Sequence, residues 1–194
     1  MDTMNRPGWI EVVTGPMFAG KSEELIRRIK RLEYAKKKVL VFRPRIDNRY
    51  SEDEVVSHSN NRRKSILIDK AADILKHLEA DTYAIVVDEI QFLDADIVDI
   101  SEHLANRGVR VILGGLDTDF RGEAFKITSE AMAKAEFVTK LTAICVHCGS
   151  PATKTQRIVD GKPAHYDDPI VVVAASEAYE PRCRHCHEVL GKAK

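Results

Sequence analysis

Short apolar runs recur along the first three quarters of the chain, and apolar positions at helical spacing lie between them. Trp9-Ile10-Glu11-Val12-Val13 is a β-rich run that ends in Thr14-Gly15. Residues 39–42, 83–87 and 109–113 are three further runs. Their apolar positions are nearly continuous rather than alternating, which is the pattern of strands covered on both faces. Between the runs, Leu25, Ile29 and Leu32 mark a helix over 21–37. Ala71, Ile74, Leu75 and Leu78 mark a second helix. Ile97, Ile100 and Leu104 mark a third, with Asp94 as its N-cap and Gly108 as its stop. Strands that alternate with helices predict an α/β fold built on a parallel sheet, and such sheets bind ligands at the carboxyl ends of their strands.

The pattern changes near residue 143. Beyond it the helical periodicity fades, and all four cysteines appear. We therefore expect an α/β domain over 1–142 and a small metal-binding domain over 143–194.

The end of the first run carries the strongest chemical signal. Gly15-Pro16-Met17-Phe18-Ala19-Gly20-Lys21-Ser22 fits G-x-x-x-x-G-K-[ST] at every fixed position, with a strand before it and an amphipathic helix after it. A tight turn of backbone N–H groups at a helix N-terminus cradles phosphate oxygens, and glycine allows the close approach. Lys21 reaches the β- and γ-phosphates, and the Ser22 hydroxyl is a ligand for Mg²⁺. The run over 83–87 ends in Asp88-Glu89. An acidic pair at a strand end downstream of such a turn places Asp88 at Mg²⁺ and Glu89 near the γ-phosphate, where a carboxylate can take a proton from the attacking group.

Cys145-Val146-His147-Cys148 and Cys183-Arg184-His185-Cys186 are two C-x-x-C knuckles. In a reducing compartment they favour tetrahedral zinc on Cys145, Cys148, Cys183 and Cys186. Two disulfides or a partly His-ligated site are the alternatives. Four thiolates leave no open coordination position, so the metal is expected to be structural, pinning both ends of the segment 149–182.

These features together resemble the thymidine kinases found in bacteria and in the animal cytosol. The resemblance rests on residues 15–22, on Asp88-Glu89-Ile90-Gln91-Phe92, on Gly115-Leu116-Asp117 followed by Phe120, and on the two knuckles around Tyr179. It covers nearly the whole chain. It implies a RecA-like core and transfer of the ATP γ-phosphoryl group to the 5′-hydroxyl of thymidine or deoxyuridine, with Glu89 as general base. It also implies a zinc-tethered lasso whose main chain reads the base. The lasso positions here are Ile170, Val171, Val172, Val173 and Ala174, with Tyr179 near the sugar. Family pocket positions fall on Met17, Leu116, Phe120, Phe125, Phe92 and Thr155. Asp47, Arg49 and Gln91 join the nucleotide site. A homotetramer and feedback inhibition by dTTP follow from the same resemblance.

Charge and composition narrow the partners. Lys+Arg and Asp+Glu are 30 each, so a phosphate-backbone binder is not expected. Arg27-Arg28 and Lys30-Arg31 read as a solvated helix face. The apolar run from residue 170 has six residues, against about 20 for a membrane span. Residues 1–8 carry no apolar leader, so a cytoplasmic enzyme is expected. Residues 48–65 are polar and read as a loop. Two rival classes share the phosphate turn: a RecA- or AAA-like motor using Glu89 to activate water, and a zinc-binding interaction module that retained a nucleotide loop.

Overall fold

The computed structural model describes residues 7–45, 54–56, 62–170 and 177–192. Six strands form one all-parallel sheet: β1 (Trp9–Thr14), β2 (Lys38–Pro44), β5 (Ile66–Ile68), β6 (Thr82–Val87), β7 (Arg110–Gly115) and β8 (Phe137–Lys140). The spatial order is β5-β2-β6-β7-β1-β8. Strands β3 (Glu54–Val56) and β4 (Arg62–Lys64) form a separate antiparallel pair inside the segment expected to be a loop.

Alternate residues of each central strand serve opposite faces. Val13, Ala84, Val86 and Ile112 meet Leu25, Ile29 and Leu32 of helix α1 (Lys21–Tyr34) on one face. Ile10, Val12, Ile85, Val87, Val111 and Leu113 meet Ile97 and Leu104 of helix α2 (Asp96–Asn106) and Ala131 of helix α3 (Lys126–Lys134) on the other. Both faces are covered, which is why the strands read as continuous apolar runs. Burying Leu25, Ile29 and Leu32 contributes about 1.5–3 kcal/mol each, and this apolar stripe is what docks an otherwise highly charged helix.

Several local expectations change. The segment expected as a second α-helix is a 3₁₀ helix over Ala71–His77. Only Ala71 and Ile74 are buried, and Leu75 is exposed, so one turn's worth of apolar contact holds it. The Asp73 carboxylate accepts the Asp69 and Lys70 N–H groups, tightening its start. Helix α2 begins at Asp96. Asp94 accepts the Asp96 N–H with one carboxylate oxygen and the Ala71 N–H with the other, joining the two helices. Gly108, at φ 85°, ends that helix as expected.

Arg28 departs from the solvated face expected for its helix. It is half-buried and pairs with Glu11 on β1 and Glu24 on α1. Glu11 is 5% exposed and also accepts hydrogen bonds from Arg110 on β7 and Trp9. Burial raises the Glu11 pKa, but the Arg110 and Trp9 hydrogen bonds and the charges of Arg110 and Arg28 together hold it below the usual carboxylate range.

After β8 the chain forms small antiparallel sheets. Strands β9 (Ala143–Ile144) and β10 (Pro151–Ala152) pair with each other, and β11 (Lys154–Val159) lies between β12 (Lys162–Pro163) and β13 (Glu177–Arg182).

Candidate active site

The turn over 15–20 joins β1 to α1. Gly15 has φ 144°, and a Cβ there would lie 2.5 Å from the Leu141 carbonyl oxygen. Gly20 has φ 84° and occupies the N-cap of α1. Both fixed glycines are thus required by geometry. Phe18 also takes a left-handed backbone, at φ 65°. Lys21 is buried, and its ammonium donates to the Gly15 carbonyl at 3.2 Å and the Pro16 carbonyl at 2.8 Å. Ser22 follows in the first turn of α1, where the backbone N–H groups have no intrahelical partner. Burial lowers the Lys21 pKa, and the negative charges of Glu89, Asp88 and Asp117, in that order, oppose it.

The acidic pair follows β6. Asp88 is buried, and its N–H donates to Phe42 O. Glu89 sits at φ 55°, ψ 40°, a left-handed conformation uncommon for a non-glycine residue. Its N–H donates to Asp88 Oδ1 at 2.9 Å. Gln91 then locks the side chain: Nε2 donates to Glu89 Oε2, while Oε1 accepts the Leu116 N–H at 3.0 Å. Gly114 and Gly115 leave the room this requires. A Cβ on Gly114 would lie 2.9 Å from Asp88 Oδ1, and one on Gly115 would lie 2.7 Å from Gln91 Oε1.

Burial, then the neighbouring Glu89 charge, raises the Asp88 pKa to about 7, against the Glu89 N–H, Lys21 and Arg43. Two adjacent carboxylates, one of them buried and short of counter-charge, form a donor set suited to a hard divalent cation.

The expected apolar pocket positions fall into three sets of contacts. Phe92 and Phe125 meet edge to face at 6.5 Å. Phe120 is buried, with the Arg121 and Arg157 guanidinium groups 5.4 and 5.2 Å from its ring. Arg157 also donates to Pro169 O, and Arg121 to Asp168 O at 2.8 Å. Thr155 on β11 accepts the Met17 N–H at 3.0 Å, joining the C-terminal antiparallel strands directly to the turn over 15–20. Tyr179 on β13 lies opposite Arg157. Ile170 is exposed. Val171, Val172, Val173, Ala174, Asp47 and Arg49 lie outside the described residues.

The sulfurs of Cys145, Cys148, Cys183 and Cys186 all lie within 4.8 Å of one another. Cys148 and Cys183 are 3.6 Å apart. That is too long for a disulfide of about 2.05 Å and close to the S···S separation of a tetrahedral site with Zn–S near 2.3 Å. Burial opposes ionisation of Cys145, yet the N–H groups of Cys183, Cys148 and His147 outweigh it and bring the thiol down to about 6. Among the described residues no histidine joins this cluster. His187 instead has Nε2 at 2.8 Å from Phe120 O.

Sequence reading did not single out Asp117, Gly114 or Lys140 for a role. Asp117 and Lys140 form an ion pair at 2.8 Å beside the phosphate turn. Asp117 entered the sequence reading only as part of the Gly115-Leu116-Asp117 segment that carries the resemblance, with no role attached.

Compared with known protein families, residues 8–187 match the thymidine kinase family. The match spans the phosphate turn, the acidic pair and both cysteine knuckles. The chain therefore belongs to the thymidine kinase family and transfers the γ-phosphoryl group of ATP to thymidine, giving dTMP.

Proposed function

We propose that Glu89 is the general base for the nucleoside 5′-hydroxyl, and that the turn over 15–22 holds the ATP phosphates. The observation that carries this reading is the grouping at the sheet's carboxyl edge: the buried Lys21 ammonium is held by the turn after β1, and the Asp88-Glu89 pair, with the Glu89 N–H on Asp88 Oδ1, ends β6. Phosphoryl transfer is largely a matter of positioning and charge neutralisation. Lys21 supplies fixed positive charge at the turn. Gln91 and the left-handed backbone hold the Glu89 carboxylate in one orientation, ready to accept the hydroxyl proton as the oxygen attacks. Asp88 and Ser22 would hold Mg²⁺, which when bound neutralises charge on the phosphates.

On this reading, Leu116, Phe92, Phe120 and Phe125 form the apolar wall for the base. Met17 and Thr155 close the side toward the turn, and Tyr179 lies near the sugar. Main-chain groups of 170–174 read the base edge. A wrong base leaves buried donors and acceptors unpaired, and this discriminates more strongly than the single methyl that separates thymidine from deoxyuridine. The four cysteines would hold one zinc, which ties the two ends of 149–182 together. Asp47 and Arg49 join the phosphates. The fold has no described helix long and apolar enough to cross a membrane. A cytoplasmic homotetramer inhibited by dTTP, with neither nucleic acid nor membrane as a partner, completes the proposal.

A nucleoside panel with γ-labelled ATP tests it. Label should pass to thymidine and, less efficiently, to deoxyuridine, but not to cytidine or purine nucleosides. Glu89→Gln should keep affinity for ATP and thymidine and lose about 10²–10⁴ in kcat. Rapid ATP turnover without nucleoside would instead assign Glu89 to water activation.

A further inference from the structure

Asp117 is the most heavily buried acidic group near the phosphate turn that the proposed mechanism leaves without a task. It lies two residues beyond β7 and is 5% exposed. Among the described residues, neither of its carboxylate oxygens accepts a hydrogen bond. Among the described residues its close charged contact is the Lys140 ammonium at 2.8 Å, an ion pair off the hydrogen-bonding axis.

The pair is set across the root of the turn. Strand β1 runs between β7 and β8, with Thr14 in register with Gly115 on one side and Lys140 on the other. Leu141 N–H donates to Thr14 O at 2.8 Å, and its carbonyl oxygen fills the space a Gly15 Cβ would need. Asp117 therefore reaches past the end of β1 to Lys140, at the point where the turn begins.

As a brace, this pair is poorly built. A desolvated carboxylate with a single ion pair and no hydrogen bond costs about as much as it returns. The surroundings point to a ligand instead. Asp117 also acts on Lys21 of α1 and on Lys154 of β11. Lys154 is disfavoured as a cation first by burial and then by Arg184, and also by Lys140 and Lys192, with Asp117 opposing. Asp117 is thus in direct contact with Lys140 and faces Lys21 and Lys154 at longer range. Of the other acids acting on Lys21, Asp88 and Glu89 belong to the proposed catalytic pair and Glu23 lies in the first turn of α1. The Lys140 side chain is 51% exposed, so its ammonium is held by Asp117 while remaining open to solvent.

We propose that Lys140 is a further binding residue for the donor's polyphosphate and that Asp117 is its positioning residue. This rests on the reading of 15–22 as the ATP turn. An extended, flexible lysine at the mouth of the site loses rotamer freedom when it binds an anion. The ion pair with Asp117 fixes the side chain beforehand, beside the turn that holds the phosphates.

The test uses Lys140→Gln, Lys140→Arg, Asp117→Asn and the double variant Asp117→Asn/Lys140→Gln. Steady-state KM values for ATP and thymidine are measured, together with the Kd of a fluorescent ATP analogue in the absence of nucleoside. Lys140→Gln should raise the ATP KM and the analogue Kd roughly tenfold, as loss of one charge-assisted contact does, and leave the thymidine KM within about twofold. Lys140→Arg should recover most of the loss. Asp117→Asn should raise the ATP KM about threefold alone and add nothing once Lys140 is Gln. Unchanged nucleotide affinity in Lys140→Gln overturns the proposal. So does an equal rise in both KM values with a lowered melting temperature, the mark of a brace. If the unmodified enzyme transfers phosphate to no nucleoside, the proposed function fails, while the analogue Kd still decides the role of Lys140.

Discussion

The Gln91 side-chain amide donates to the Glu89 carboxylate, and its carbonyl oxygen accepts the Leu116 N–H at the end of β7. One amide thus links the acidic pair to the neighbouring strand's end. Glutamine suits this place because it presents a donor and an acceptor at once, whereas glutamate would offer only acceptors and a like charge. With Glu89 as the proposed general base, Gln91→Ala is expected to lower kcat by about ten- to a hundredfold, less than loss of the base itself, with the ATP KM unchanged. Gln91→Glu should be worse, because it places a second carboxylate against Glu89. Equal kcat in the unmodified enzyme and Gln91→Ala would show that Glu89 holds its place without help.

The same relationship makes Gly115 sensitive. A Cβ there would meet Gln91 Oε1 at 2.7 Å and Ile90 Cγ1 at 2.9 Å, and Ile90 is fully buried and cannot move aside. Gly115→Ala should therefore cost about 1–3 kcal/mol of stability by overpacking. It should also lower kcat as Gln91→Ala does. Urea unfolding and steady-state kinetics check the two effects separately. A stable variant with reduced kcat would still place the clash at Gln91.

The sheet was legible because its central strands are apolar on both faces, and the phosphate turn because the chemistry dictates every fixed residue from Gly15 to Ser22. What was not legible depends on contacts between distant segments. Helix α3 buries little beyond Thr128 and Ala131, too weak a stripe to read from spacing. Strand β8 is an edge with Phe137 and Val138 exposed, so it lacks the buried-strand pattern. Arg28 looked like one charge among many on α1, and only the fold brings it to Glu11, 17 residues away. Gln91 could be placed in the site by resemblance, but its hold on Glu89 could not, since Leu116 lies 25 residues on.

The zinc prediction follows from the cluster geometry and from the contact of Thr155 with Met17. Freshly purified protein should contain one zinc per chain, and stripping it with a strong chelator should loosen both ends of 149–182. Strand β11 reaches the turn over 15–20 through the Met17 N–H and Phe120, proposed to line the base pocket, through Arg157, so activity should fall with the metal. Re-addition of zinc should restore it. The metal should not act as a Lewis acid, because four thiolates fill its coordination. Cadmium, which keeps a tetrathiolate site, should therefore support near-normal kcat. Active protein that holds no zinc as purified would reject this arrangement.

Glu11 provides a pH test of the fold away from the chemistry. It joins β1 to α1 through Arg28 and to β7 through Arg110, and its pKa is depressed. A carboxylate with a lowered folded-state pKa contributes stability that is present above its unfolded value, near 4.3, and lost as pH falls through the folded one. Glu11→Gln keeps the size and some hydrogen bonding but leaves Arg110 without its counter-charge and Arg28 with Glu24 alone. At pH 7 this should cost about 1–3 kcal/mol, less than the 3–5 of a fully buried pair because Arg110 remains 23% exposed. The gap between the two proteins should narrow as pH drops below about 4, where Glu11 begins to take up its proton. Both proteins share any acid release of metal, so the difference between their urea midpoints isolates Glu11. A gap that stays constant from pH 7 to acid would mean that packing of the side chain, and not its charge, holds the three elements together.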